Sequence, residues 1–174
     1  MQVDGEAFRD VMGRFATGVS IVTTLDENGG PAGITVSAMS SVSLDPPLVM
    51  VALARNRFIT PIVAANRRFA VNVLRADQQA LSDCFAHAPV RPGREDFCGA
   101  AWHRGPTGLP LLDGTLGAIE CRVVETYPVG DDELFIARVD SLQVDEGDPL
   151  LYFRRQYLRV DHGTPSPVEG KNEP

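Results

Sequence analysis

The stretch from Gly33 to Pro47, GITVSAMSSVSLDPP, places Thr35, Ser37, Ser40, Ser41 and Ser43 within nine positions, between apolar segments. Small hydroxyl side chains let a backbone approach a flat ligand closely, and they offer donors and acceptors to its polar edge or to a phosphate. A serine-rich loop that merely closes a hairpin has the same composition, so residue types alone leave the two readings level. Further on, Thr60-Pro61 has the composition of a helix start, with threonine as N-cap and proline in the first helical position. Such a start presents unpaired N–H groups and the positive end of a dipole to an anion. Arg55 and Arg57 lie just before it and could complete the neutralisation of a phosphate. The plainer reading is a threonine that only caps and two solvated arginines.

Other chemistry-bearing residues are sparse. Cys84, Cys98 and Cys121 are an odd number at unrelated spacings, and with His87, His103 and His162 they form no metal-ligand pattern. The expectation is free thiols, buried or half-buried, in a reducing compartment. Cys84 and His87 would share a helix face, but nothing supplies the orienting acid or oxyanion site of a cysteine nucleophile. A net charge of −7, from 16 basic and 23 acidic residues, argues against a nucleic-acid partner. No apolar run approaches the roughly 20 residues that span a bilayer, and the N-terminal residues lack a secretory pattern. A cytoplasmic protein is therefore expected, with no membrane partner and no metal.

The elements that would position these residues can be read from periodicity. Residues 4–16 predict an amphipathic helix, capped by Asp4 and stapled by Val3 and Phe8, whose Phe8, Val11, Met12 and Phe15 pack on something. Residues 19–25 and 32–39 read as a hairpin around Asn28-Gly29-Gly30-Pro31. Residues 48–53 and 69–74 are further strands, and Asp77 precedes a helix on which Leu81, Cys84 and Phe85 share a face. Residues 88–114 predict a long irregular connection, a kind that is often functional. Two alternating strands follow: Ile119, Cys121 and Val123 lie opposite Glu120 and Arg122, and Phe135, Ala137 and Val139 share a face. The segment from Tyr127 to Asp132 is their turn, and a last strand lies near 150–153. One domain over 1–160 is expected, with a disordered polar tail over 161–174. Hairpin-type connections favour an antiparallel barrel with about three peripheral helices over a doubly wound parallel sheet.

The order of these pieces resembles the short-chain flavin reductase family, whose members supply reduced flavin to two-component monooxygenases. The resemblance covers roughly 8–158. It rests on Phe15-Ala-Thr-Gly-Val19 before a Val-Thr-Thr strand, Gly33-x-Thr35-x-Ser37, Ser41-Val-Ser43 and Asp45-Pro-Pro-Leu48. Phe69-Ala-Val-Asn-Val-Leu74 with Gln78 and Leu81, Gly108-x-Pro110 and Pro149-Leu150 extend it. The resemblance implies a mainly β split β-barrel (FMN-binding, Greek-key type) that dimerises, with FMN or FAD near the subunit interface and NADH or NADPH as co-substrate. Thr35, Val36, Ser37, Ala38, Ser40, Ser41 and Ser43 would then run along the isoalloxazine, and Arg55, Arg57 and Thr60 would meet the phosphate. The family's serines in that second region give way to Phe58 and Ile59.

A larger departure lies in the later turn, where the family carries Gly-Asp-His and this chain reads Gly130-Asp131-Asp132. A carboxylate does not donate a hydrogen bond at neutral pH unless its pKa is strongly raised. The change bears on nicotinamide binding and rate more than on flavin binding, because the cofactors carry the hydride chemistry. Asp132 is thus the candidate catalytic position, with a plain turn residue as the alternative. A flavin-binding carrier, sensor or oxidase on the same barrel, and an interaction module without flavin, are the rival functions.

Overall fold

β-Branched and apolar runs punctuated by Gly, Pro and Asp turns fold into strands wherever one or both faces find cover. The structure, a computed structural model, describes residues 3–87, 90–92 and 96–160. In chain order the elements are α1 (Gly5–Met12), β1 (Thr17–Gly18), β2 (Ser20–Leu25), β3 (Pro31–Val36), β4 (Met39–Leu44) and β5 (Pro47–Ala54). Next come α2 (Ile59–Asn66), β6 (Arg68–Val73), α3 (Gln79–His87), β7 (Trp102–Arg104) and β8 (Pro110–Leu112). The last are β9 (Gly117–Val129), β10 (Asp132–Val144), β11 (Leu151–Phe153) and β12 (Gln156–Leu158).

The main sheet is antiparallel with strand order β3-β2-β6-β9-β10-β5-β4. Its first and last strands are consecutive in the chain, since β3 ends at Val36 and β4 begins at Met39. So short a link spans only about 10 Å. The seven-stranded sheet therefore curls until its two edges meet at a corner, which is the split barrel the resemblance implies. The inward faces form one core of Val22, Ile34, Val49, Val51, Leu53, Phe69, Val71, Cys121, Val123, Phe135 and Ala137. A second cluster, with Ile21, Leu74, Phe85, Phe97, Leu112 and Leu150, lies outside the sheet beneath α3 and the 97–112 segment. Both faces of β2 are thus buried, which explains its unbroken apolar and β-branched run.

Close approach makes this second layer possible. A Cβ on Gly33 would lie 2.5 Å from Cε1 of Phe85, so only glycine lets α3 sit against β3 here. Asn72, wholly buried, ties the layers together. Its Nδ2 donates to the Ile21 carbonyl at 3.0 Å and Thr23 Oγ1 at 3.1 Å, and its Oδ1 accepts from the Leu112 N–H at 2.8 Å.

Several expectations are corrected. Asp4 does cap α1, its Oδ2 accepting from the Ala7 N–H at 3.1 Å, but the helix stops at Met12. Among the described residues its apolar face is left largely uncovered: Phe8, Val11 and Phe15 are 58%, 63% and 69% exposed. The 88–114 connection holds the β7–β8 hairpin, although 88, 89 and 93–95 lie outside the described residues, as does the 161–174 tail. Glu120 does lie on the face opposite Cys121 and Val123, and it is buried there. It accepts from the Thr107 N–H and hydroxyl and, at 3.3 Å, from the Leu109 N–H, which satisfies a charge that solvent would otherwise have to. Cys84 and Cys98 form a disulfide rather than free thiols, their Cα atoms 6.0 Å apart. The edge-on packing of Phe85 against Phe97, with ring centroids at 5.7 Å, brings their chain neighbours together. The pairing also removes Cys84 as a nucleophile. Only Cys121 stays a free thiol, and it is buried. Among the described residues no helix is long and apolar enough to cross a membrane.

Candidate functional site

A cleft opens at the corner where β3 passes into β4. Its floor is the end of β3 and the link beyond it, Thr35, Val36, Ser37 and Ala38. One wall is the end of β5, with Ala52, Leu53 and Ala54. Ala86 of α3, Arg57 and Asp132 complete the lining of a cavity of about 240 Å³. Strand pairing fixes this arrangement, because Asp132 at the start of β10 stands opposite Ala54. Four alanines and a serine give the lining little relief, a shape suited to a planar ring. Among the described residues the Arg57 guanidinium and Asp132 carboxylate form no ion pair, and the Ser37 hydroxyl has no partner.

The sequence-predicted residues divide into those the cleft gathers and those it does not. Thr35, Val36, Ser37, Ala38, Arg57 and Asp132 line it. The Thr35 hydroxyl is already committed, donating to the Ser82 carbonyl at 2.7 Å, so it docks α3. Ser40 and Ser41, on the exposed edge strand β4, line an adjoining apolar groove of about 920 Å³ with Met12, Phe15, Met39 and Met50. Ser43 pairs with Leu48 further along that strand and lines neither. The Arg55 guanidinium donates to the Gly130 carbonyl, and its N–H to Asp131 O at 3.0 Å, so Arg55 braces the hairpin turn that carries Asp132. Thr60 is not an N-cap. Helix α2 begins at Ile59 after Phe58, and the buried Thr60 hydroxyl donates back to the Ala54 carbonyl at 2.7 Å. Its role is to hold the end of β5 against α2.

A second lobe of about 470 Å³ shares Thr35, Val36, Ser37 and Ala86 with the cleft. Its other walls are Asp83 and His87 of α3 and Tyr152, Arg155 and Tyr157 of the β11–β12 hairpin. The Tyr157 hydroxyl donates to Asp83 Oδ1 at 2.9 Å, which leaves Ser82 Oγ, also at 2.9 Å, to donate to the phenol oxygen. Burial pushes the Tyr157 phenol up; the Ser82 bond opposes this and the neighbouring Asp83 adds to it. Sequence reasoning missed this lobe. Its one signal was the pair of tyrosines flanking Arg154-Arg155, a pattern that makes sense only once the segment is seen to be a hairpin.

Comparison with known proteins bears on the fold and the family. Residues 12–161 match the family described as flavin reductase like domain. The chain is 40% identical over 166 residues to FMN reductase (NADH) RutF of Cronobacter sakazakii, covering 95% of this chain and 96% of that protein. It is 35% identical over 168 residues to the reductase subunit HsaB of a flavin-dependent monooxygenase from Rhodococcus jostii, covering 95% and 84%. The solved structure of Streptomyces globisporus NADH:FAD oxidoreductase SgcE6 with NAD and FAD fragments superposes with a TM-score of 0.85 at 29% identity, covering 95% and 99%. A shared fold, a match along most of the chain and a cleft at the strand corner lead to one assignment: this chain belongs to the flavin reductase-like family.

Proposed function

We propose that the chain is an NADH-dependent flavin reductase that reduces FMN or FAD and delivers the reduced flavin to a partner monooxygenase. The observation that carries this reading is the meeting of Ser37, Ala38, Arg57 and Asp132 in one small-walled cleft of a family member. When bound, flavin supplies the acceptor for the hydride that leaves NADH with its electron pair. The protein's part is binding and orientation. Ala52, Ala54 and Ala86 admit a flat ring system, Ser37 offers it a hydrogen bond, and Arg57 neutralises a phosphate. Asp132 is the charged group at the nicotinamide side.

The apolar face of α1 and the neighbouring groove are assigned to a second copy of the chain. Val36, Ser37 and Ala38 line both groove and cleft, so a partner seated in the groove would wall the flavin site and cover the exposed α1 face.

The test is NADH oxidation with FMN as acceptor. A carboxylate disfavours the negative charge that reduced flavin gains, so Asp132→His is expected to raise kcat/KM for NADH by about tenfold. FMN binding without NADH oxidation would instead select a flavin carrier, sensor or oxidase, and an unchanged Asp132→His removes that position from the nicotinamide site.

A further inference from the structure

A chain of this length buries enough apolar surface to fold without a cross-link, so the Cys84–Cys98 bond calls for another account. It joins two segments of unlike character. Cys84 lies two residues before Ala86, the α3 side chain that lines both cleft and lobe. Cys98 lies in a tight turn, Phe97–Gly99, where three successive residues have positive φ, 35°, 56° and 75°. Only the last is glycine. A Cβ is strained in the left-handed region, so Phe97 and Cys98 stay there only while their surroundings hold them. Phe97 is held by burial between Phe85 and Trp102, with ring centroids at 5.7 and 5.0 Å. Cys98 is only half-buried, and the bond to Cys84 holds it.

The same bond steadies the end of α3. The other ties of this helix lie at or before Phe85: Thr35 on the Ser82 carbonyl, Tyr157 on Asp83, and Phe85 against Gly33. Its last turn, with Ala86 and His87, leads toward Val90, whose carbonyl accepts from the Gly33 N–H at 3.0 Å. The ring of chain closed by the disulfide is thereby pinned to β3, the strand that ends in the cleft floor. We infer that the Cys84–Cys98 pair is a thiol–disulfide exchange site, reduced by a dithiol, whose opening loosens the Ala86 wall and weakens binding in the cleft. The inference rests on the flavin-reductase reading for its choice of ligand, FMN. In the exchange one thiolate of the dithiol attacks a bridge sulfur, and the S–S bond breaks. The second thiolate then attacks the dithiol's own bridged sulfur and releases the remaining cysteine. Two electrons pass to the protein, the dithiol closes to its own disulfide, and its two protons leave Cys84 and Cys98 as thiols. Cys121, buried in the other core, takes no part.

The experiment treats the full chain with dithiothreitol in the absence of denaturant and then removes the reagent. Thiol labelling, the emission of Trp102 and quenching of FMN fluorescence are measured before and after. Reduction should expose two reactive thiols. Trp102, the chain's single tryptophan, is stacked on Phe97, so its emission should shift to the red as the 97–99 turn relaxes. FMN affinity should fall about tenfold, the result of a closed wall populated about one-tenth of the time. Reoxidation should restore both signals. Cys84→Ser/Cys98→Ser should match reduced wild type and ignore dithiothreitol. The inference is overturned by a bond that dithiothreitol does not open in the native protein, or by equal FMN affinities before and after reduction. Loss of the cooperative melt on reduction also overturns it, since the bond would then serve folding alone, as does a dithiothreitol response in the double variant. Should the oxidised protein not bind FMN, the flavin reading fails, while the Trp102 emission still decides whether the pair works as a switch.

Discussion

At the scale of single residues, side-chain chemistry was legible but its direction was not. Of the five hydroxyl residues in the stretch from Thr35 to Ser43 only Thr35 and Ser37 line the cleft, and Thr35 spends its hydroxyl on α3 as Thr60 does on β5. A one-dimensional string shows which groups can bond and leaves open which neighbour arrives first. Glu120 illustrates the same point, since strand alternation gave its face and left open that the Thr107–Leu109 backbone would bury it there. Cys121 gives a clean test at this scale. Burial, with Asp140 and Glu120 nearby, pushes its thiol from 9.0 to about 12. The folded state therefore holds the proton more tightly than the unfolded chain does. That contribution is complete below pH 9 and is lost as pH rises toward 12. Urea midpoints above and below pH 9 should show a steeper alkaline loss in wild type than in Cys121→Ala; parallel profiles would remove the effect. Thiol counting checks the disulfide assignment alongside: no reactive thiol in the native protein, one after denaturation, and three after reduction.

At the scale of elements, strands surfaced well because each is an apolar run bounded by turn residues. The 19–25/32–39 hairpin, the 48–53 and 69–74 strands and the long final hairpin all appear, with edges shifted by a few residues. The short pieces β1, β7, β8 and β12 were missed, since two or three residues carry no period. What the pattern could not reveal was how near α3 comes to β3, because that depends on an absent side chain at Gly33. This closeness sets the cleft wall at Ala86. Gly33→Ala forces Phe85 and α3 outward, which should cost about 1–3 kcal/mol as other overpacking changes do and weaken FMN along with it. Thermal melts and an FMN titration measure both. A variant of wild-type stability and affinity would mean that the α3 contact does not shape the site.

At the scale of the whole molecule, the curled sheet explains why the site lies where it does. A barrel seam is the one place where two sheet edges face each other without pairing, so a ligand can enter there. The architecture was legible through the order of hairpins and through the family resemblance. The exposed α1 face was legible only as amphipathicity, and on the proposed dimer its cover would be a second copy of the chain. Sedimentation should find a homodimer, and Phe8→Glu should shift it toward monomer while lowering flavin affinity, since Val36, Ser37 and Ala38 line both groove and cleft. A wild-type monomer that binds flavin at full strength would refute the shared wall.

The central claim is that the strand-corner cleft with Arg57 in its lining receives the flavin. Quenching of FMN fluorescence on titration with the protein measures it directly. Wild type should quench saturably at micromolar protein, and Arg57→Ala should bind about tenfold more weakly through loss of one charged phosphate contact. Identical curves for the two proteins, or no quenching by either, would contradict the account.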